Sequence, residues 1–163
     1  MIAGMDLMML GSIFVSGVVA VLIGFVWYLP AVFGTAWMRL LNVSPEMAES
    51  GKKKMPLMAL FGLLSAMLVA YVMTYVNAAW GFTTWSGGIQ LGFWCWMGFV
   101  APTMLSQVLW EHRPFKLYLI DALYWLVSFL VIAQIIVFTY GISSSLYFTS
   151  STTDTSAVMY EGE

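Results

Sequence analysis

Four long apolar stretches constrain the fold of this chain more than any other feature of its sequence. Each reaches the ~20 residues that a helix needs to cross a hydrocarbon core about 30 Å thick. They cover residues 5–29, 56–77, 87–110 and 115–141. The runs are continuous and do not alternate with polar residues, which disfavours a transmembrane β-barrel. The sequence therefore predicts an all-α polytopic membrane protein, with four transmembrane helices in a compact bundle over residues 1–142.

Charged residues are scarce, at 9% of the chain, against roughly 25% in a soluble domain. Six Lys and Arg residues are too few for a nucleic-acid-binding surface, so we expect no nucleic-acid partner. One cysteine and one histidine exclude an intrachain disulfide and disfavour a zinc site, which takes several such ligands. We expect neither a metal nor a cofactor.

The connection after the first apolar stretch predicts two further helical segments. A short interfacial helix is expected over Ala31–Leu41, with Pro30 in its first turn. The run Ser44-Pro-Glu-Met47 predicts a helix start capped by the Ser44 side chain, in a turn that Ser50 and Gly51 should end.

The distribution of basic residues predicts how the chain sits in the membrane. All six lie in the connections after the first and third stretches: Arg39, Lys52, Lys53, Lys54, Arg113 and Lys116. Short cytoplasmic loops carry the excess of Lys and Arg, so both connections should be cytoplasmic and both termini extracytoplasmic. We expect the first stretch to be a retained helix, because no basic residue precedes it. Residues 143–163 are polar and end acidic, which predicts a mobile extracytoplasmic tail.

Small residues four positions apart recur in three of the stretches, which favours close helix packing there. Pro102 should kink the third helix and free a backbone carbonyl near Gly98, which Thr103, Ser106 or Gln107 could satisfy. The expected packing positions are Gly24 with Ala20, Gly62, Ala66 with Ala70, Gly88 and Gly92, together with Pro102 itself.

Two stretches resemble the signature regions of a small bacterial four-helix membrane family, the domain of unknown function 1761. They are GFVWYLPAVFGTAWMRLL (residues 24–41) and GFVAPTMLSQVLWEHRPFKLYLIDALYWLVS (residues 98–128). The matching residues are Trp27, Tyr28, Pro30, Phe33, Gly34, Trp37, Gly98, Phe99, Pro102, Trp110, Glu111, Arg113 and Pro114. Leu29 and Asp121 depart from the family pattern, which has a small polar residue and Asn there. The resemblance covers about residues 10–140 and implies a fold and a bacterial membrane, with no activity attached.

The short stretch VLWEHRPFKLYLID (residues 108–121) has two interpretations. In the first it is a cytoplasmic hairpin, where Arg113 and Lys116 bind anionic headgroups and His112 is a loop residue. In the second, Asp121 lies just inside the fourth helix and needs a partner, because ionisable residues inside spans are usually paired. Trp27 or Tyr28 could donate to Asp121 or Glu111. The predicted cytoplasmic-face cluster, which would lock the two signature regions together, contains Tyr28, Arg39, Glu111, His112, Arg113 and Asp121.

Three functional classes remain open from the sequence. The favoured one is a non-catalytic structural or accessory subunit of a membrane complex, or a homo-oligomer, in the bacterial inner membrane. Its partners would be the lipid bilayer and either other membrane subunits or further copies. A small transporter or channel has only Gln107 and Gln134 as polar candidates along a path. A membrane enzyme could use Glu111 and His112 for acid–base chemistry, but no nucleophile, metal cluster or phosphate-binding loop accompanies them.

Overall fold

The computed structural model describes residues 7–160, with side chains described as far as residue 145. About 90% of the chain is helical, and the described residues contain no strand. The elements are α1 (Leu7–Trp27), a π-helical turn (Pro30–Gly34), α2 (Thr35–Leu40), α3 (Pro45–Trp80), α4 (Trp85–Cys95), a second π-helical turn (Trp96–Val100), α5 (Ala101–Trp110) and α6 (Phe115–Tyr160).

Three helices of the described chain are individually long and apolar enough to cross a membrane, where the sequence predicted four. They are α1, α3 and the Phe115–Ser145 part of α6. The predicted third span, residues 87–110, is instead divided into α4 and α5 by the second π-helical turn, Trp96–Val100. The division occurs just before Pro102, which lacks the backbone N–H that a regular helix would need there.

The Thr103 side chain satisfies carbonyl groups next to this irregular turn. Its hydroxyl donates to the carbonyl oxygen of Phe99 at 2.6 Å and to that of Val100 at 2.9 Å. Thr103 was one of the residues expected to take this role. The disturbance predicted at Pro102 thus takes the form of a widened turn, a common adjustment at such positions.

Helix α3 begins as predicted and ends much later than predicted. The Ser44 hydroxyl accepts a hydrogen bond from the Met47 backbone N–H at 3.2 Å, and Pro45 occupies the first helical position. The predicted stop at Ser50 and Gly51 is wrong, because the helix continues to Trp80. The residues after Gly51 are three lysines, which are good helix formers and carry the helix across it. Gly81 ends α3 in the left-handed conformation, with φ 71°.

Helix α6 packs along both α1 and α4, while α3 packs mainly on α1. Two glycines allow α4 to approach α6. A Cβ added at Gly88 would lie 2.6 Å from the Gln134 side chain, and one at Gly92 would lie 2.8 Å from the Leu130 Cα. Gly24 faces the Tyr124 ring. Six of the predicted packing positions therefore lie at helix contacts or in the core: Ala20, Gly24, Ala66, Ala70, Gly88 and Gly92.

Gly62 does not lie at a helix contact. A Cβ added there would meet no atom within 4 Å, because this residue is on the outward face of α3. The glycine that brings α1 close to α3 is Gly17, whose added Cβ would lie 2.6 Å from Met67 Cγ. Pro102 is also exposed, so its effect is on the course of the backbone and not on packing.

Helix α6 continues to Tyr160, so the change of composition after residue 142 is not a break in the helix. In this part of the helix the Ser144 hydroxyl donates to the Gly141 carbonyl one turn earlier at 3.0 Å, so the polar side chain finds an acceptor within the helix. Residues 161–163 of the predicted tail, and residues 1–6 ahead of α1, lie outside the described residues. The mobility of the tail and its side of the membrane stay predictions.

Candidate functional site

The carboxylate of Asp121, near the start of α6, is bound by two aromatic side chains from the segment after α1. The Tyr28 hydroxyl donates to Asp121 Oδ1 at 2.7 Å, and the Trp37 indole N–H donates to the same oxygen at 3.1 Å. Tyr28 directly follows α1 and Trp37 lies in α2. Asp121 is therefore the point at which the chain after α1 is tied to α6.

The π-helical turn between Tyr28 and Trp37 aims both donors at Asp121. The Gly34 backbone N–H donates to the Leu29 carbonyl at 2.9 Å, which closes the wide turn. Gly34 lies so close to the backbone of Tyr28 and Leu29 that a Cβ would not fit. The two rings consequently pack edge to face, with centroids 5.6 Å apart.

Two further tryptophans bind the backbone of α6 on either side of Asp121. The indole of Trp27 donates to the Ile120 carbonyl at 3.1 Å, and that of Trp96 donates to the Ala122 carbonyl at 2.9 Å. Trp96 begins the second π-helical turn. We call Trp27, Tyr28, Trp37 and Trp96 the aromatic clasp. It connects α1, α2 and the α4–α5 segment to one turn of α6.

The chemistry of the clasp favours a fixed hydrogen-bonded tie. Burial, followed by the hydrogen bond to Asp121, raises the pKa of the Tyr28 phenol, so this hydroxyl stays protonated and remains a donor. An indole N–H is a donor only. In the described part of the chain, the second carboxylate oxygen of Asp121, Oδ2, receives no hydrogen bond, but it is not a buried atom. The buried side-chain atoms that lack a hydrogen-bond partner there are Ser16 Oγ, Asn77 Oδ1 and Ser128 Oγ.

The remaining residues of the predicted cytoplasmic-face cluster form no hydrogen bond or ion pair with Asp121 in the described part of the chain. Glu111 and Arg113 pair with each other, Oε2 to Nε at 2.8 Å, with side chains 53% and 43% exposed. His112, exposed in the turn between α5 and α6, has a left-handed backbone with φ 56°. Arg39 is exposed near the end of α2, and the described residues show no ion pair between it and Asp121. The predicted cluster thus divides into three parts. Tyr28 and Asp121 form a hydrogen-bonded pair, Glu111, His112 and Arg113 form an exposed hairpin, and Arg39 is exposed on α2.

The sequence did not identify Trp37 and Trp96 as partners of this site. It also suggested that Trp27 would donate to a carboxylate, whereas Trp27 donates to the backbone carbonyl of Ile120. The signal for Trp37 was its place in the first signature region, on the same short segment as Tyr28. No ionic partner of Asp121 was needed, because ring donors satisfy Oδ1.

Two other features bear on the remaining functional classes. Within the described residues, no group of three or more His, Cys, Asp or Glu side chains could hold a metal ion. A pocket of about 320 Å³ lies beside the α3–α4 connection, between residues 83–85 and α6. Gln134 lines it and donates to the Trp85 carbonyl at 3.1 Å. This contact joins α6 to the start of α4.

The fold and the aromatic clasp together define a class of helical protein. Its apolar helices are long enough to cross a membrane, and the Asp121 carboxylate connects the segment after α1 to α6. The chain belongs to the family described as Protein of unknown function (DUF1761), whose model matches residues 12–137. The resemblance drawn from the two signature regions is therefore confirmed. The match includes Asp121 and the whole aromatic clasp. Comparison with the curated proteins and with the solved structures gave no match.

Proposed function

We propose that this protein is a non-catalytic, four-span component of the bacterial inner membrane that works as a structural or accessory subunit, through assembly with other membrane proteins or with its own copies. The observation that carries the proposal is the state of Asp121. Apart from Asp6 and Lys116, which lie within two residues of the start of a stretch, it is the only Asp, Glu, Lys or Arg residue inside an apolar stretch. Ion pathways and proton relays use such residues, but here ring donors occupy its Oδ1 in a tie between segments.

A fourth span and a bundle are supported by the continuity of α4, the π-helical turn and α5. Together they run from Trp85 to Trp110 without leaving helical geometry, about 35–40 Å at the usual rise per residue. Membrane helices tolerate proline where side chains satisfy the freed carbonyls, as Thr103 does here. Four spans would place all six basic residues on one side of the membrane.

Fusions to alkaline phosphatase test this orientation, because the enzyme becomes active only outside the cytoplasm. We expect high activity for fusions after Gly81 and after residue 163, and low activity for fusions after Lys54 and after His112. A fluorescent protein that folds only in the cytoplasm provides the matched control, with the opposite pattern. Activity after His112 but not after residue 163 would mean that the α4–α5 segment does not cross, and the four-span proposal would fail.

Assembly is supported by the large outward apolar faces of the helices. Only 22% of the most apolar window of α3 is buried within the chain. Lipid can cover such a surface, but so can a neighbouring helix, because packing and interhelical hydrogen bonds drive helix association in membranes.

Purification from native membranes tests the proposed function directly. A protein tagged on the C-terminal segment and extracted in mild detergent should migrate as a species larger than one chain with its micelle. Mass spectrometry of that species should find a constant ratio of copies or of partner chains. An untagged strain controls for nonspecific capture. A lone chain at every detergent concentration tested, down to the critical micelle concentration, would contradict the proposal.

A transporter is the second candidate, and one observation favours it. Ser16 Oγ, Ser128 Oγ and Asn77 Oδ1 are enclosed within the packed helices and have no hydrogen-bond partner in the described chain. Buried polar atoms of this kind often bind water, and they could contact a polar solute. Solute or proton flux into proteoliposomes that falls upon Ser128→Ala, with Thr103→Ala as the control, would favour transport over the subunit proposal.

A further inference from the structure

The outward face of α3 carries a regular row of large side chains that are exposed in the described chain. Their spacing alternates between four and three residues, and each is between 38% and 63% exposed. We call this row the α3 seam, and it consists of Leu57, Phe61, Leu64, Leu68, Tyr71 and Tyr75. The opposite face of α3 is buried against the bundle, through Ala66, Ala70, Met73 and Asn77.

Alternating steps of four and three residues are the a and d positions of a left-handed coiled coil. Such a row forms a nearly straight stripe that a second helix can follow at a crossing angle of about 20°. Every continuous face of an α-helix shows this spacing, so a face that meets only lipid can carry it as well. The spacing alone does not identify the partner, and the two tyrosines supply that information.

Tyr71 and Tyr75 place two hydroxyl groups on this outward face, in the last third of the apolar stretch 56–77. Their oxygens are 3.1 Å apart and their rings pack edge to face, with centroids 5.0 Å apart. Tyr71 lies about 13 Å along the helix from Trp80, where α3 ends. Helical side chains also lean toward the N-terminus, which keeps the Tyr75 hydroxyl away from that end.

The phenol pair is only partly satisfied within one chain. A phenol has a single O–H donor, and one of the two donors is used in the bond between the tyrosines. The described residues provide no partner for the second donor. Leaving it in hydrocarbon is costly, since the bilayer core has no water to accept the bond.

We propose that the α3 seam is the contact surface for a second copy of this chain, an inference that rests on the assembly in the proposed function. All copies insert in the same direction, so two α3 helices pair in parallel. A twofold axis then sets position a against a and d against d. Two phenol pairs, each with one unused donor and free acceptor sites, close a ring of four hydroxyl hydrogen bonds. An unrelated partner would have to supply a matching donor and acceptor at this depth, whereas a second copy always does.

The seam ends at Leu57 on the cytoplasmic side. The next position in the register is Lys54, and two lysines facing each other across the axis would repel. Lys52, Lys53 and Lys54 instead belong at the level of the lipid headgroups, where the two helices diverge and anionic lipids bind the ammonium groups. The contact is therefore confined to the apolar part of α3.

Cysteine cross-linking in native membranes tests the seam. The only native cysteine, Cys95, is buried and is first replaced by alanine. Leu68→Cys is then introduced on the seam, where the residue is 63% exposed, and Leu22→Cys on α1, where it is 56% exposed, as the matched control. We expect mild oxidation to give a disulfide-linked dimer from the seam variant, at least about fivefold more than from the control. Equal cross-linking of the two variants, or none at Leu68→Cys, would overturn the inference.

The tyrosine hydroxyls are tested separately, with removal of oxygen and retention of the ring. The double variant Tyr71→Phe, Tyr75→Phe should weaken dimer formation in detergent at least about tenfold, because interhelical hydrogen bonds contribute to association. Its thermal unfolding as a monomer should be unchanged, since both rings face outward. Undiminished dimerisation would overturn the role of the hydroxyls. If the seam variant fails to cross-link while purification still yields a larger species, the seam is wrong and the proposed function stands; if no assembly is found at all, both fail.

Discussion

Replacing Gly92 by valine is expected to separate α4 from α6 and to give the largest loss of stability considered for this protein. A Cβ at this position would lie 2.8 Å from Leu130 Cα, 2.9 Å from the Phe129 carbonyl oxygen and 3.0 Å from the Leu130 backbone nitrogen. All three atoms belong to the backbone, so no side chain can rotate away. Overpacking in a core costs about 1–3 kcal/mol, and a contact that displaces a whole helix should exceed the upper end of that range.

The measurement is thermal unfolding in detergent micelles, followed by circular dichroism, for Gly92→Val and Gly92→Ala. Gly62→Ala is the matched control, because a Cβ there meets nothing within 4 Å. We expect the control to stay within about 0.5 kcal/mol of the parent, as most surface substitutions do. Similar losses for Gly92→Ala and Gly62→Ala would show that α4 and α6 do not meet in this register.

Replacing Asp121 by leucine is expected to release the aromatic clasp. The substitution removes the acceptor of two hydrogen bonds and leaves the Tyr28 hydroxyl and the Trp37 indole N–H unpaired in a half-buried site. Hydrogen bonds to a charged group contribute about 1.5–3 kcal/mol each, and unpaired donors add a desolvation penalty. The apolar contacts of the new leucine side chain offset part of this loss. The expected net loss is therefore about 2–4 kcal/mol of unfolding free energy, measured as a lower unfolding midpoint in detergent.

Two variants distinguish the loss of the hydrogen bonds to Asp121 from a general effect of removing a negative charge. Asp121→Asn keeps an acceptor oxygen where the two donors meet and should lose about 1 kcal/mol or less. Glu111→Gln removes the charge of an exposed ion pair and should be nearly neutral. A double-mutant cycle between Asp121→Leu and Tyr28→Phe should give a coupling of about 1 kcal/mol or more. An unchanged midpoint for Asp121→Leu would refute the structural role assigned to this carboxylate.

The sequence predicted that Asp121 needs a partner and named Tyr28 as a possible donor, which the structure confirms, but it did not identify Trp37 as the second donor. The predicted cluster also grouped Arg39 and Arg113 with Asp121, but both are exposed, and the described residues show no ion pair between either of them and Asp121. The observed partners are Tyr28 and Trp37, which lie 93 and 84 positions away in the sequence. Rings near a membrane interface gain by burying their apolar surface, and their polar atoms then need a partner inside the protein. Which ring reaches the carboxylate depends on the π-helical turn at Gly34, and nothing in the residue order specifies that turn.

For the small residues too, the sequence pattern predicted a spacing but not which pair packs against another helix. The spacing of Gly62 and Ala66 resembles that of Gly88 and Gly92, yet only the second pair meets another helix with both members. A spacing of four residues places two side chains on one face of a helix. It does not tell which face turns inward, because in lipid the outward face is as apolar as the inward one.

The sequence alone determined the properties that depend on local composition. These are the apolar stretches, the start of α3 at Ser44, the disturbance at Pro102 and the restriction of basic residues to the connections after the first and third stretches. Each follows from the residues themselves or from neighbours within one helical turn. Only the tertiary structure decided that a π-helical turn divides the predicted third span, that α6 is bound by four rings, and that the row from Leu57 to Tyr75 faces outward. These depend on contacts between helices far apart in the chain, and the free energy of such contacts comes from shape and hydrogen-bond geometry that no single stretch contains.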